Sequence, residues 1–463
     1  MQKTVVLDVI GLTPNLIGEH TPQIKAFVER NQMATVEAET PAVTTTAQAT
    51  YITGQRPNVH GIVGNGWYFR DHAEIKFWRQ SNHLMQARKL WEHARELDPD
   101  FSVSKMFWWY NMYSSADYSA TPRPMYPVDG RKIPDVYTHP MDMRDRLQAE
   151  LGQFPLFKFW GPNAAIDSSR WIADATMMVD QWHNPNLTLV YLPHMDYSLQ
   201  VHGPDASKVG QELSEIDAVT GNLIRYYEAQ EAKVVLLSEY GITHVDTPIH
   251  LNRLFREQGL IAYRDELGHE QFDAGASKAF AVADHQIAHI YINDPSVEPL
   301  VRELLGSVED IDILLDEATK PDYHLDHPRA GDFVALAKPN AWFTYYYWFD
   351  DAKAPDYART VDIHRKPGYD PVELFIDPQI PLPMAKAGFR LLQKKLGFRY
   401  TMDLIPLDAT LVKGSHGVKT AREDGPILAT NRPQHLSADH IAATDVYDIL
   451  FAHLQQGAPV GTK

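Results

Sequence analysis

The sequence predicts an α/β fold, with a central, mostly parallel sheet sandwiched by helices. Three observations predict it. Short runs rich in Val, Ile and Leu recur without clean polar alternation, as in strands covered on both faces. Segments with apolar residues every three or four positions lie between them. Acidic residues stand just past the ends of the apolar runs, where open α/β sheets bind ligands.

The first run, Thr4–Leu7, ends on Asp8. Thr44, Thr45 and Thr46 open a helix-like stretch that Gly54 stops. Leu187–Leu192 is the next strand and leads to Asp196. Val209, Leu213, Ile216, Val219, Leu223 and Tyr227 then form one apolar helix face. Lys233–Leu237 reads as a strand, followed by Glu239 and Tyr240. Leu251, Leu254 and Phe255 make a short helical stripe before Gly259, and Ile287–Ile292 and Phe333–Leu336 are further strands. Two stretches rich in aromatics and prolines break the rhythm, at about 100–170 and 340–400. They are expected to be cap insertions on a single core spanning 1–463, with a frayed tail after Gln456.

Composition narrows the function. Of 463 residues, 44% are hydrophobic and 22% charged, an ordinary globular balance. A net charge of −17, with no Lys/Arg cluster strong enough to reverse it, argues against nucleic acid as a partner. The absence of cysteine excludes disulfides, thiolate-bound zinc and a thiol nucleophile, and fits a reducing compartment. The first strand begins too close to Met1 to leave room for a signal peptide, and no apolar run reaches the roughly 18–20 residues of a membrane span. A cytoplasmic location is therefore expected.

Asp8, Thr44 and Asp196 read together as one site. A lone Asp leaving a strand is an ordinary cap, and a Thr opening a helix is an ordinary N-cap. The functional reading makes the carboxylates metal ligands and Thr44 a nucleophile favoured by the helix N-terminus and an adjacent cation. Downstream, the glycine-rich run His60–Gly66 lets the backbone approach a ligand, and Asn65 could donate to a phosphate oxygen.

These fragments resemble the alkaline phosphatase superfamily, above all its nucleotide pyrophosphatase/phosphodiesterase and phosphonoacetate hydrolase branches. The stretch from Tyr51 to Gly54 and on to Asn65 is similar to the segment following the family's nucleophile. Met195, Asp196 and Tyr197, and the run Gly414–Gly417 around His416, are similar to metal-ligand segments. The resemblance implies Thr44 as nucleophile and Asn65 as phosphate-binding amide. It implies Asp8, Thr44, Asp196, Glu239 and His416 as metal ligands. The activity it implies is metal-dependent hydrolysis of a phosphate ester or phosphodiester, through a phospho-threonine, acting on a small phosphorylated molecule. The alternatives are phosphonate (C–P) hydrolysis and a catalytically inactive ligand-binding member of the fold.

The chain departs from the family at two imidazoles. Gln200 stands where a His is usual, with His202 nearby, and Glu239–Tyr240 replaces an Asp-His pair. Either the site is inactive, or it binds one divalent ion instead of two, or other residues supply the ligands. His364 is the leading replacement, with Asp362 and Asp370 in the same segment and His194 and His244 as lesser candidates. Harder oxygen donors move the expected metal from zinc toward manganese or magnesium. The aromatic runs Phe107–Tyr110 and Trp342–Phe349 read as packed cap core or as an apolar wall for a leaving group.

Overall fold

Val5, Val6, Leu7 and Val9 are wholly buried, and their strand, Thr4–Val9, pairs in parallel with Leu187–Leu192 on one side and Lys233–Leu237 on the other. Parallel neighbours require crossover connections whose helices cover both faces of the sheet, so the strand's sequence runs apolar without alternation. In the computed structural model, which describes residues 1–128 and 131–455, these three strands form the middle of a nine-stranded sheet. Beyond Leu187–Leu192 come Val103–Met106, Tyr118–Pro122 and, antiparallel at the edge, Val136–His139. Beyond Lys233–Leu237 come the antiparallel Ile427–Thr430, then Gln32–Glu37 and His440–Ala442. The architecture is mixed α/β, with a large, mostly parallel central sheet flanked by helices. The Gly210–Glu228 helix buries Leu213, Ile216, Leu223 and Tyr227, the face its spacing predicts, and packs on Asp167–His183.

The chain divides into two units. The first comprises Met1–Ile62, Gln80–Ile242 and Lys419–Lys463 and contains the nine-stranded sheet. The second comprises Val63–Arg79 and Thr243–Val418. It is built on a four-stranded antiparallel sheet, in the order Ala279–Asp284, Ile287–Ile292, Phe333–Ala337, Ile311–Leu315.

This division differs from the single core with two insertions expected from the sequence. Residues 100–170 supply three strands of the main sheet rather than a cap. Their aromatics hide the strand pattern because they are core: Trp108 is fully buried, and Phe107 packs against Phe154 and Trp171. Residues 340–400 are one part of the larger second unit. Ile287–Ile292 and Phe333–Ala337 are strands, but of the antiparallel sheet. The tail after Gln456 lies outside the described residues. No described helix is long and apolar enough to cross a membrane.

Candidate functional site

The helix Thr44–Thr53 is buried along its whole length. Threonine is a weak helix former, so tertiary contacts must hold this one. Thr46 Oγ1 donates to the Ile62 carbonyl (3.1 Å), Thr50 Oγ1 pairs with His60 Nε2 (3.1 Å), and the Tyr51 hydroxyl donates to the Ser238 carbonyl (2.9 Å). Gly54, at φ 64°, takes the left-handed turn that ends it. Thr44 is the first helical residue, so its hydroxyl stands at the positive end of the helix dipole. Gln48 lies one turn further on the same face.

Three adjacent strands deliver three carboxyls to the first unit. Asp8 sits near the end of Thr4–Val9, Asp196 in the first turn of the helix His194–His202, and Glu239 two residues past Lys233–Leu237. The Gln48 carbonyl accepts from the Trp109 backbone N–H (2.8 Å). That fixes the amide, and its Nε2 points to Glu239 Oε1 (2.7 Å) and Asp8 Oδ2 (3.4 Å). The Asp8 and Glu239 carboxyls share the Gln48 amide. Burial holds both above the usual carboxylate range, and the Asp8 charge pushes Glu239 further. Asp8 Oδ1 and Glu239 Oε2 are buried and receive no N–H or O–H from other side chains.

Around Asp196 the donors are neutral. The Tyr240 hydroxyl lies 3.1 Å from Thr44 Oγ1 and donates to Asp196 Oδ1 (3.2 Å). Gln200, one helical turn after Asp196, donates Nε2 to Oδ2 (2.8 Å). Burial pushes Asp196 up to about 7 and the Tyr240 phenol well above its ordinary value, so the phenol remains a donor. The loop carrying Glu239 and Tyr240 continues into Gly241, where a Cβ would run into the Asp424 carbonyl.

These donors bear on any metal. The amide of Gln200 and the phenol of Tyr240 each take one lone-pair direction on Asp196 and bring no imidazole nitrogen, so this half does not fit an imidazole-type zinc site. Among the described residues, no group of three or more His, Asp and Glu side chains is arranged to hold a metal ion. The Asp8–Glu239 pair beside Thr44, with two buried carboxyl oxygens lacking donors, fits one hard cation.

Asn65, His416 and His364 belong to the second unit. Asn65 donates both its backbone N–H (2.8 Å) and Nδ2 (3.1 Å) to Asp284, whose carboxyl burial pushes up to about 7. His416 is buried, its ring 3.7 Å from that of His285, which stacks on Tyr369 at 3.6 Å. Burial, with His416 alongside, holds His285 well below the usual imidazole range. His364 is exposed on a turn. Asp370 and Glu373 each lie 2.7 Å from the buried Lys366 ammonium, and Glu373 accepts the Asp362 backbone N–H (2.9 Å). His194 pairs with Glu215 (3.2 Å), and His202 and His244 are exposed.

The structure thus gathers Asp8, Thr44, Asp196 and Glu239 in the first unit, with Gln200 and Tyr240 among them. Gln48 was not anticipated. Its signal was a single amide one turn after Thr44, in a helix otherwise made of Thr, Ala, Tyr and Ile.

Solved structures share this fold. A murine ectonucleotide pyrophosphatase/phosphodiesterase 5 in complex with AMP is 14% identical, with a TM-score of 0.59, over 100% of this chain and 97% of that one. A phosphonoacetate hydrolase from Sinorhizobium meliloti 1021 in complex with phosphonoacetate is 13% identical, with a TM-score of 0.60, over 98% and 96%. Among curated proteins none matches the sequence. Residues 4–370 match the family described as type I phosphodiesterase / nucleotide pyrophosphatase. With most of its length so matched, and its carboxyls and Thr44 gathered at the strand ends, the chain belongs to the type I phosphodiesterase/nucleotide pyrophosphatase family, whose members are phosphoester hydrolases.

Proposed function

We propose that the protein hydrolyses a phosphate ester or diester of a small molecule, with the Thr44 hydroxyl as nucleophile. The observation that carries this reading is the place of Thr44 Oγ1: first in a buried helix and 3.1 Å from the Tyr240 hydroxyl, in the unit that also holds Asp8, Asp196 and Glu239. Tyr240, whose own proton goes to Asp196, accepts the Thr44 O–H and so orients that hydroxyl, and the Glu239 carboxylate is the proposed acceptor of its proton. Thr44 Oγ1 bonds to phosphorus as the leaving alkoxide departs and takes up a proton. Water then releases phosphate and restores the hydroxyl. A single divalent cation held by Asp8, Thr44 and Glu239 would neutralise charge on the phosphoryl oxygens. The hard donors favour manganese or magnesium over zinc. His416 and His364 are left out of this reading.

The test is hydrolysis of bis-(p-nitrophenyl) phosphate by metal-stripped protein reloaded with manganese, magnesium or zinc. Turnover with about one bound metal per chain, falling at least about a hundredfold in Thr44→Ala with an unchanged melting temperature, is expected. Full activity in Thr44→Ala would remove the nucleophile assignment. A second reading, a ligand-binding protein without turnover, is favoured by the neutral donors on Asp196. It predicts AMP binding without hydrolysis under every metal.

A further inference from the structure

The helix Pro383–Lys395 has no buried residue. Its orientation is inverted. Lys386 Nζ donates to the Asp403 carbonyl (2.7 Å) and lies 2.8 Å from its carboxylate, while Arg390 reaches the same carboxylate at 2.9 Å. The polar face is therefore turned toward the protein. On the other face, Met384, Phe389, Leu391 and Leu392 are 77%, 57%, 53% and 50% exposed, and Leu396 and Phe398 continue the stripe at 64% and 65%. Apolar side chains of this size, contiguous and facing water, mark a surface that meets something else.

Charge identifies the occupant. Residues 382–403 hold five cations and one anion in a chain of net charge −17; Lys386 and Arg390 share Asp403, which leaves the exposed Lys394, Lys395 and Arg399 as the positive charge beside the apolar stripe. Lys395 lies one turn after Leu391, within the apolar face, and is exposed. In a pairing of two such helices that ammonium would be buried beside apolar groups. At a lipid interface it extends its methylenes along the acyl chains and places its charge among phosphates. We infer that this helix is a docking face for an anionic lipid surface, lying flat at the headgroup boundary with Met384, Phe389, Leu391, Leu392, Leu396 and Phe398 inserted.

The test is co-sedimentation of the full chain with vesicles of phosphatidylcholine alone or with about 30% phosphatidylglycerol. The variants are Leu391→Asp with Leu392→Asp, and Lys394→Glu with Lys395→Glu. All four positions are exposed, so both variants should melt as wild type does. Wild type is expected to bind the anionic vesicles at least about tenfold more strongly than the neutral ones, and each double variant to lose about tenfold or more. Failure of wild type to bind, equal binding to neutral vesicles, or binding indifferent to both variants overturns the inference. So does self-association in sedimentation velocity that Leu391→Asp with Leu392→Asp abolishes while vesicles are ignored, since the occupant would then be a second copy.

Discussion

Lys105 shows how a single side chain sets a property of the whole strand end. Its ammonium is buried, donates to the Trp109 (3.3 Å) and Tyr110 (3.1 Å) carbonyls, and lies 5.2 Å from the Trp91 ring. Burial pulls its pKa down from 10.5 to about 7. Between those values the unfolded chain holds a proton that the folded chain has released, so stability rises with pH across the window and the penalty is full below it. Urea unfolding from about pH 7 to 9.5 should show wild type gaining up to about 3 kcal/mol more than Lys105→Met, which keeps only the smaller rise from Lys233, itself pulled down to about 8 by burial. Equal slopes would mean the ammonium stays protonated. At this scale the residues that the first unit gathers were readable as candidates. Asp8, Asp196 and Glu239 betray themselves because each follows an apolar run, and Thr44 because it opens a helix. The roles of Gln200 and Tyr240 as donors to Asp196 were not readable, since one depends on a helical turn and the other on a loop from another strand.

Among the elements, the loop after Lys233–Leu237 is tightly constrained at Gly241. Gly241 has no room for a Cβ because of the Asp424 backbone, whereas Gly259, at φ 69°, has nothing within 4 Å of where a Cβ would stand. Gly241→Ala must displace backbone and should cost about 1–3 kcal/mol. It should also lower turnover by moving Tyr240 away from Thr44 and Asp196. Gly259→Ala carries only the left-handed strain, about 1–2 kcal/mol, and should leave turnover intact. Equal activity in the two variants would show that the loop tolerates displacement. The buried strands beside Asp8, Asp196 and Glu239 were legible because parallel neighbours demand unbroken apolar runs. Val103–Met106, Tyr118–Pro122 and Val136–His139 were not, because the aromatics and prolines around them mimic the composition of a cap.

For the whole molecule, α/β character was legible and the division into two units was not. The second unit is entered at Val63, left at Arg79 and resumed from Thr243 to Val418. No local change of composition marks such crossings, because each is a single covalent step between well-packed segments. The buried helix Thr44–Thr53 lies wholly in the first unit, with no solvent-facing side and no exposed end to unravel. Its amides should therefore exchange with deuterium only through cooperative opening of that unit, at rates matching the slowest strands of the sheet. Faster exchange there would reveal a separate local opening. Chemical competence and folded lifetime are thereby tied together. Thr44 should not loosen while its unit stays intact, so if it is the nucleophile proposed above, conditions that disable it by motion should be the same conditions that unfold the sheet.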